Sequence, residues 1–280
     1  MTGDCSVRVQ FYRPPEPISR YFTTFYLTEI SVPDGRRVTD HLHPEWANLR
    51  FLSQTEAHSV IGTGEPLRCP DFAVTGPTSR AARFRLRSGR SWGIGLLPSG
   101  WAALFAARAG VYADRIVDGM TDPVFAALTP LARALAASDG DYAAELALIE
   151  RHMEALFAAI QPVDPAIDAL TAALLDPELV SVVDLAERLE MNVRSLERLS
   201  RRAFGFPPKL LLRRQRFLRS LSQFMLDPSL KWISTLDWHY VDQAHFVRDF
   251  QRSLAVRAQF ARQTLGYLNT MLADSKASLK

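Results

Sequence analysis

The sequence predicts an α+β protein with a β-rich N-terminal part, a set of flanking helices and an all-helical C-terminal half. Three observations carry this. Short aromatic and β-branched stretches between Pro/Gly turns fill roughly the first hundred residues. After Pro98-Ser99-Gly100 the texture turns alanine-rich and helix-forming. Beyond Gln161-Pro162-Val163-Asp164-Pro165, which breaks a helix, capping residues recur at helical spacing.

Strands are expected at Tyr21–Ile30, Trp46–Leu52, Phe72–Thr75, Arg83–Leu86 and Trp92–Leu97. Turn sequences separate them: Pro33-Asp34-Gly35, Gly62-Thr63-Gly64-Glu65-Pro66, Gly76-Pro77 and Ser88-Gly89. That spacing favours a small β-barrel or sandwich over alternating βα units. Helices follow at Trp101–Arg108, Asp122–Ala137 and Asp141–Ile160, with Asp122-Pro123 a start signal. In the last of these, Leu146, Ile149, Met153, Leu156 and Ile160 recur at steps of 3 and 4, a narrow apolar seam. Such a seam either joins two chains in a homodimer or packs on its own barrel.

The domain plan is therefore 1–161 (barrel 1–98, helices 100–160), a linker at 162–165, a helical domain at 166–270 and a tail at 271–280. A chain of 280 residues can bury two cores, and 48% hydrophobic with 22% charged residues is ordinary for a globular protein. No apolar run approaches the roughly 18 residues that span a bilayer, and the N-terminus lacks a signal-peptide pattern. A cytoplasmic location is expected. Cys5 and Cys69 make neither a disulfide framework nor a metal spacing; Cys69 is a redox sensor or, more simply, an idle thiol.

Net charge is +3, unevenly placed. Residues 1–164 hold 16 Lys/Arg against 18 Asp/Glu, whereas residues 188–262 hold 15 against 6. A basic module of that kind meets polyphosphate or is a solvated helical surface.

Inside it, Ser181 can cap a helix to about Glu190, and Asn192 a second one, Val193–Phe204, ending at Gly205. Two short helices joined by a tight turn form a helix-turn-helix, whose second member enters the major groove. There Leu196, Leu199 and Ala203 make the inward stripe, while Arg194, Glu197, Arg198, Arg201 and Arg202 point outward. Four like charges on so short a face repel unless an anion meets them. A second copy lies 50 residues on, pairing Val183 with Ile233, Asn192 with Asp242, Leu196 with Phe246, Arg198 with Arg248, Arg202 with Arg252 and Phe204 with Leu254. A longer helix, Pro208–Met225, joins the copies and carries Lys209, Arg213, Arg214, Arg216 and Arg219.

Residues 166–262 resemble the AraC/XylS family of transcription regulators. The resemblance rests on DLAERLEMNVRSLERLSRRAFGFPPKLLLRRQRF at 184–217 and DQAHFVRDFQ at 242–251. The second stretch departs from the family at Ala244, Leu236 and His239-Tyr240, and lacks the closing Gly-x-x-Pro after Leu254. The resemblance implies double-stranded DNA as partner, with base edges approached from Arg194, Glu197 and Arg198 in the first unit and Gln243, His245 and Arg248 in the second. Arginine forks onto guanine, glutamine pairs with adenine and glutamate accepts from cytosine, which suits those residue types. Arg201, Arg202, Lys209, Arg213 and Arg252 are read as phosphate contacts. It further implies a cupin-like N-terminal domain for an effector or for dimerisation, and RNA polymerase as a partner if the protein activates.

The rival reading is a metal-dependent cupin enzyme with a helical appendage. Gly35, five residues, then His41-Leu42-His43 copies the opening of the cupin metal motif. Ala47 and Asn48 stand where its Glu belongs and Ala103 where its last His belongs, so neither a metal nor a cofactor is expected. No nucleophile elbow or phosphate loop is present, and no catalytic residue is assigned. For a small-molecule effector the candidate lining is His43, Trp46, Arg50, Phe51 and Trp92, although core packing explains the aromatics equally well.

Overall fold

The computed structural model describes residues 5–160 and 162–226. Ten strands run β1 Ser6–Tyr12, β2 Phe22–Ser31, β3 Val38–Leu42, β4 Ala47–Gln54, β5 Ala57–Ile61, β6 Leu67–Arg68, β7 Phe72–Thr75, β8 Ala82–Leu86, β9 Gly89–Leu96 and β10 Ile116–Asp118. They form a six-stranded sheet, β1-β2-β9-β4-β7-β10, and a four-stranded sheet, β3-β8-β5-β6. The sheets do not close into the expected barrel. β3 pairs only with β8, and β4 only with β7 and β9, so no ladder joins one sheet to the other.

Side-chain alternation assigns the faces. On one face of the large sheet stand Phe25, Leu27, Leu49, Phe51, Phe72, Val74, Trp92, Ile94 and Leu96, all in the main core. On the other stand Tyr26, Thr28, Asn48, Arg50, Thr75, Ser91 and Gly93. The apolar face packs on helices, and the polar face turns toward the small sheet. Gly93 belongs to this pattern: a Cβ there would lie 1.9 Å from the Tyr26 ring.

The covering helices are α1 Pro98–Leu104, α2 Ala109–Tyr112, α3 Thr129–Ala136 and α4 Tyr142–Ala158. Asp122 caps a 3-10 turn at Pro123–Leu128, and Asp141 caps α4 by accepting from the Ala143 and Ala144 amides. Ile149 and Met153, the middle of the seam, are fully buried in the main core, while Leu146, Leu156 and Ile160 pack at its margin. Within the chain, the middle of the seam is thus packed into the main core, while its margins stay partly exposed. Glu145, also buried, ties α4 to the sheet by accepting from Arg90 Nη2 (2.5 Å) and the Trp92 indole N–H (2.6 Å).

The second half follows as α5 Pro165–Ala173, α6 Val182–Arg188, α7 Val193–Leu199 and α8 Pro208–Leu226. Its core joins Ile167, Leu170, Leu185, Leu196, Leu199, Phe204 and Leu211, among others. Among the described residues no helix is long and apolar enough to cross a membrane.

Met153→Ala should cost about 2–5 kcal/mol, as expected for a large side chain lost from a packed core. Urea denaturation reads the loss, and light scattering should show an unchanged oligomeric state.

Candidate DNA-reading helix and the cavity behind it

The helix pair α6 and α7 is built by its caps. Ser181 Oγ accepts from the Asp184 amide at 3.1 Å and Asn192 Oδ1 from the Ser195 amide at 2.8 Å, so each helix starts where its first donors are satisfied. The turn between them places Glu190 in the left-handed region (φ 52°), and the Met191 amide returns to the Ala186 carbonyl at 2.9 Å. Ala186 is buried where the two helices approach, and α7 continues through one π turn, Ser200–Phe204. Ser200 Oγ closes that turn by donating to the Phe206 carbonyl (2.6 Å), and Gly205 (φ 84°) ends it.

Arg194, Glu197, Arg198 and Arg201 are exposed, as is Lys209 at the start of α8. Arg202 is exposed too, but its Nη2 meets Asp164 Oδ2 at 2.8 Å. Asp164 also caps α5, so one carboxylate ties an arginine of the π turn to the start of α5. Arg213 is half-buried. Gln243, His245, Arg248 and Arg252 lie outside the described residues.

The far end of the reading helix rests on the N-terminal half. Gly110 of α2 would place a Cβ 3.0 Å from the Arg201 carbonyl, and Gly205 one 2.7 Å from Pro77 Cγ. Trp46, just before β4, is held between the halves. Phe204 meets it edge-on at 5.7 Å, and the Arg214 guanidinium lies 3.7 Å from its ring centroid.

Arg214 points into the protein. It is 4% exposed, and its Nε and Nη1 have no hydrogen-bond partner among the described residues. Sequence alone places it among the basic residues of its helix without a direction. It sits three residues after buried Leu211 and three before buried Phe217, and that spacing is the signal for an inward face. Together with Leu218 it closes a cavity of about 320 Å³ whose other walls come from the polar face of the large sheet and from Leu42–Ala47. A smaller cavity, about 90 Å³, lies between the sheets and shares Tyr26, Thr28, Leu42 and Arg50 with the first.

His43, Trp46 and Arg50 line the larger cavity as expected. Phe51 does not, because it stacks on Phe72 (4.8 Å) on the opposite face of the sheet. Trp92 borders the smaller cavity, but its indole belongs to the main core and to Glu145. Glu45 is the residue that sequence reasoning missed. It accepts from Arg50 Nη2 at 2.5 Å, while Arg50 Nη1 donates to Thr75 Oγ1 at 2.9 Å. His41 lies on β3, which ends at Leu42, and His43 follows it in the lining of the larger cavity.

The electrostatics are lopsided. Burial works against the Arg50 charge, but Glu45 and Tyr26 outweigh it and raise its pKa. Burial pushes Arg214 down to about 9, with Glu45 and Asp114 pulling weakly the other way. Burial, with Arg214 nearby, also lowers His43, which is neutral at pH 7. The lining thus carries two guanidinium groups, Arg50 and Arg214, against the one carboxylate of Glu45. One positive charge is left over. Burial pushes the Cys69 thiol up to about 11, so at neutral pH it is protonated and a poor redox nucleophile.

No family model matches the sequence, and no curated protein does. Among solved structures the chain is similar to ToxT from Vibrio cholerae, at 11% identity, covering 95% of this chain and 98% of that one, with a TM-score of 0.45. It is similar to ToxT with an unsaturated fatty acid bound, at 10% identity, 95% and 96% coverage and a TM-score of 0.43. It is also similar to the AraC-like transcriptional activator CuxR, at 12% identity, 76% and 86% coverage and a TM-score of 0.32.

Arg214→Met keeps the volume and removes a buried charge with unmet donors. The ligand-free variant should gain about 1–3 kcal/mol of stability, the cost of leaving such donors unsatisfied. Thermal denaturation without added ligand checks this, and a lowered melting temperature would mean that the Trp46 contact outweighs desolvation.

Proposed function

We propose that the protein is a transcription regulator that reads duplex DNA with α7 and is controlled by a small anionic molecule in the cavity behind it. The observation that carries the DNA reading is the capped reading helix. It presents Arg194, Glu197 and Arg198 to solvent, with no ion pair to any of the three within 4.0 Å among the described residues. Arg194 and Arg198 stand one turn apart, the spacing that lets both reach base edges in one major groove. Arg201 and Lys209 flank them as phosphate contacts.

The effector reading rests on Arg214 alone. A cavity within the usual size of ligand sites, with an apolar and aromatic wall and one unmatched guanidinium, fits a molecule with a single negative charge on an apolar body. Such a molecule would touch the sheet and α8 at once. As an activator, the protein would also meet RNA polymerase.

Selection of bound sequences from a random DNA pool tests the central claim. Enrichment of one motif is expected, with affinity falling by about 10³–10⁵ between about 50 and 200 mM salt if roughly 6–10 phosphates are touched. Arg198→Ala should cost about 1–3 kcal/mol and flatten preference at one or two base pairs. Arg248→Ala should cost less and weaken binding to all sequences alike, because the second copy departs from the family pattern at Leu236, His239-Tyr240 and Ala244 and would meet DNA mainly through phosphates. A pool without enrichment would sink the reading. Asp164→Asn keeps the α5 cap but removes the charge that competes for Arg202, so DNA affinity should rise a few-fold; unchanged affinity would remove Arg202 from the phosphate contacts.

A further inference from the structure

The four-stranded sheet has a charge pattern of its own. Its inner face is buried, with Ala57, Ser59, Ala82 and Phe84 lining the smaller cavity. The alternate positions face outward, and there Arg83 and Arg85 of β8 and Arg68 of β6 stand exposed. Register aligns them. Arg85 is opposite His58, and His58 is opposite Arg68, so one row across three strands reads Arg85, His58, Arg68. Arg83 stands two residues along, between His41 and Val60. With strands about 4.8 Å apart and alternate residues about 6.8 Å apart, the three arginines arise from a patch of roughly 10 by 7 Å.

Nothing within the described chain neutralises that patch. Arg68, Arg83 and Arg85 have no ion pair within 4.0 Å among the described residues. Glu56, at the edge of the same face, is already engaged by Arg37 at 2.8 Å and Arg87 at 3.2 Å. His58 separates Arg85 from Arg68, so the row gains no opposite-charge pair across its strands that would account for it by stability. Its chemistry points to phosphate. All 16 basic residues up to position 164 are arginines, whose planar forks match phosphate oxygens better than an ammonium does. A duplex offers one such charge per about 1.7 Å of its axis, enough to meet a row of about 10 Å with several phosphates. The exposed large apolar side chains of the described residues, Val111, Met120, Tyr142, Leu175, Val183 and Val193, all lie off this sheet, so it offers no apolar anchor for a lipid surface.

We infer that the outer face of the four-stranded sheet is a second contact for the phosphate backbone, gripping duplex that flanks the stretch read by α7. The inference rests on the DNA-binding reading and adds a surface outside the helix-turn-helix. It makes part of the affinity depend on DNA length.

The test uses the full chain and the double variant Arg83→Gln, Arg85→Gln. Two duplexes carry the selected motif, one bare and one with flanks of about 15 base pairs. Wild type should bind the flanked duplex about tenfold more tightly, and the variant should lose that gain. The slope of log K against log salt should fall by about 1–2 on the flanked duplex only, one unit for each phosphate contact removed. Both positions are exposed, and melting temperatures confirm that the variant folds. An unchanged slope on the flanked duplex overturns the inference, as does an equal loss on both duplexes. Unchanged DNA binding, with loss of co-sedimentation on phosphatidylserine vesicles, would reassign the face to membrane. A wild type that binds neither duplex removes the DNA reading itself, which separates the two failures.

Discussion

In the six-stranded sheet the large apolar side chains leave on the face turned away from the second sheet, and the rest of the molecule depends on that choice. Phe25, Leu27, Leu49, Trp92 and Ile94 need a cover, and α1, α3 and α4 supply it. Ile149 and Met153 are consumed in doing so. The opposite face is then free to be polar and incompletely filled, with Tyr26, Asn48 and Arg50 around a cavity. Register protects the division: a slip of one residue in β4 would carry Arg50 into the core and Leu49 into the cavity. The Arg90–Glu145–Trp92 contacts guard against such a slip, because breaking them strands a carboxylate in a place with no water.

Trp46 turns this arrangement into a link between the halves. It leaves the rim of the cavity, takes Phe204 on its edge and Arg214 on its face, and so touches the end of the reading helix and the start of α8 together. Gly205 and Gly110 allow backbone to approach backbone beside it. The direction of α7 is therefore set by packing against the sheet as well as by its own core. A molecule in the cavity would meet Arg214 only while α8 is docked, and that differential contact is what a ligand needs to bias one arrangement over another.

The local features of the fold were legible in the sequence. Ser181, Asn192 and Asp122 each accept the amide bonds expected of a cap, and Gly205 takes the left-handed conformation that ends a helix. Phe72–Thr75 is a strand as read, and the neighbouring strands shift by a few residues. What depends on distant partners was not legible. β1, β3 and β5 carry weaker propensity and are strands because neighbours pair with them. A barrel and an open pair of sheets share the same local signals and differ only in closure. The 3-and-4 spacing in α4 marks an apolar stripe without saying whose surface covers it. In β9 the alternation Ser-Trp-Gly-Ile-Gly-Leu did announce one bulky and one empty face, and with it the hollow side of the sheet. Composition records the charge of Arg214 and not its direction.

Arginine has three distinct settings in this chain, and burial separates them. Arg50 and Arg90 are largely buried and are answered by Glu45 and Glu145. Arg194 and Arg198 are exposed, where water screens an isolated charge at little cost. Arg214 has neither remedy: its guanidinium is out of water, one flat side rests on Trp46, and two of its nitrogens donate to nothing. A state of that cost persists only where the surrounding packing enforces it. An anion that pairs with it removes the penalty while adding its own contacts, so part of its affinity would come from strain already built into the docked halves. By reciprocity, whatever loosens α8 from Trp46 would weaken such an anion by the same factor, and on the proposed reading whatever DNA favours the docked arrangement would strengthen it. The unmatched charge would thus couple the cavity to α7 without any contact between ligand and DNA.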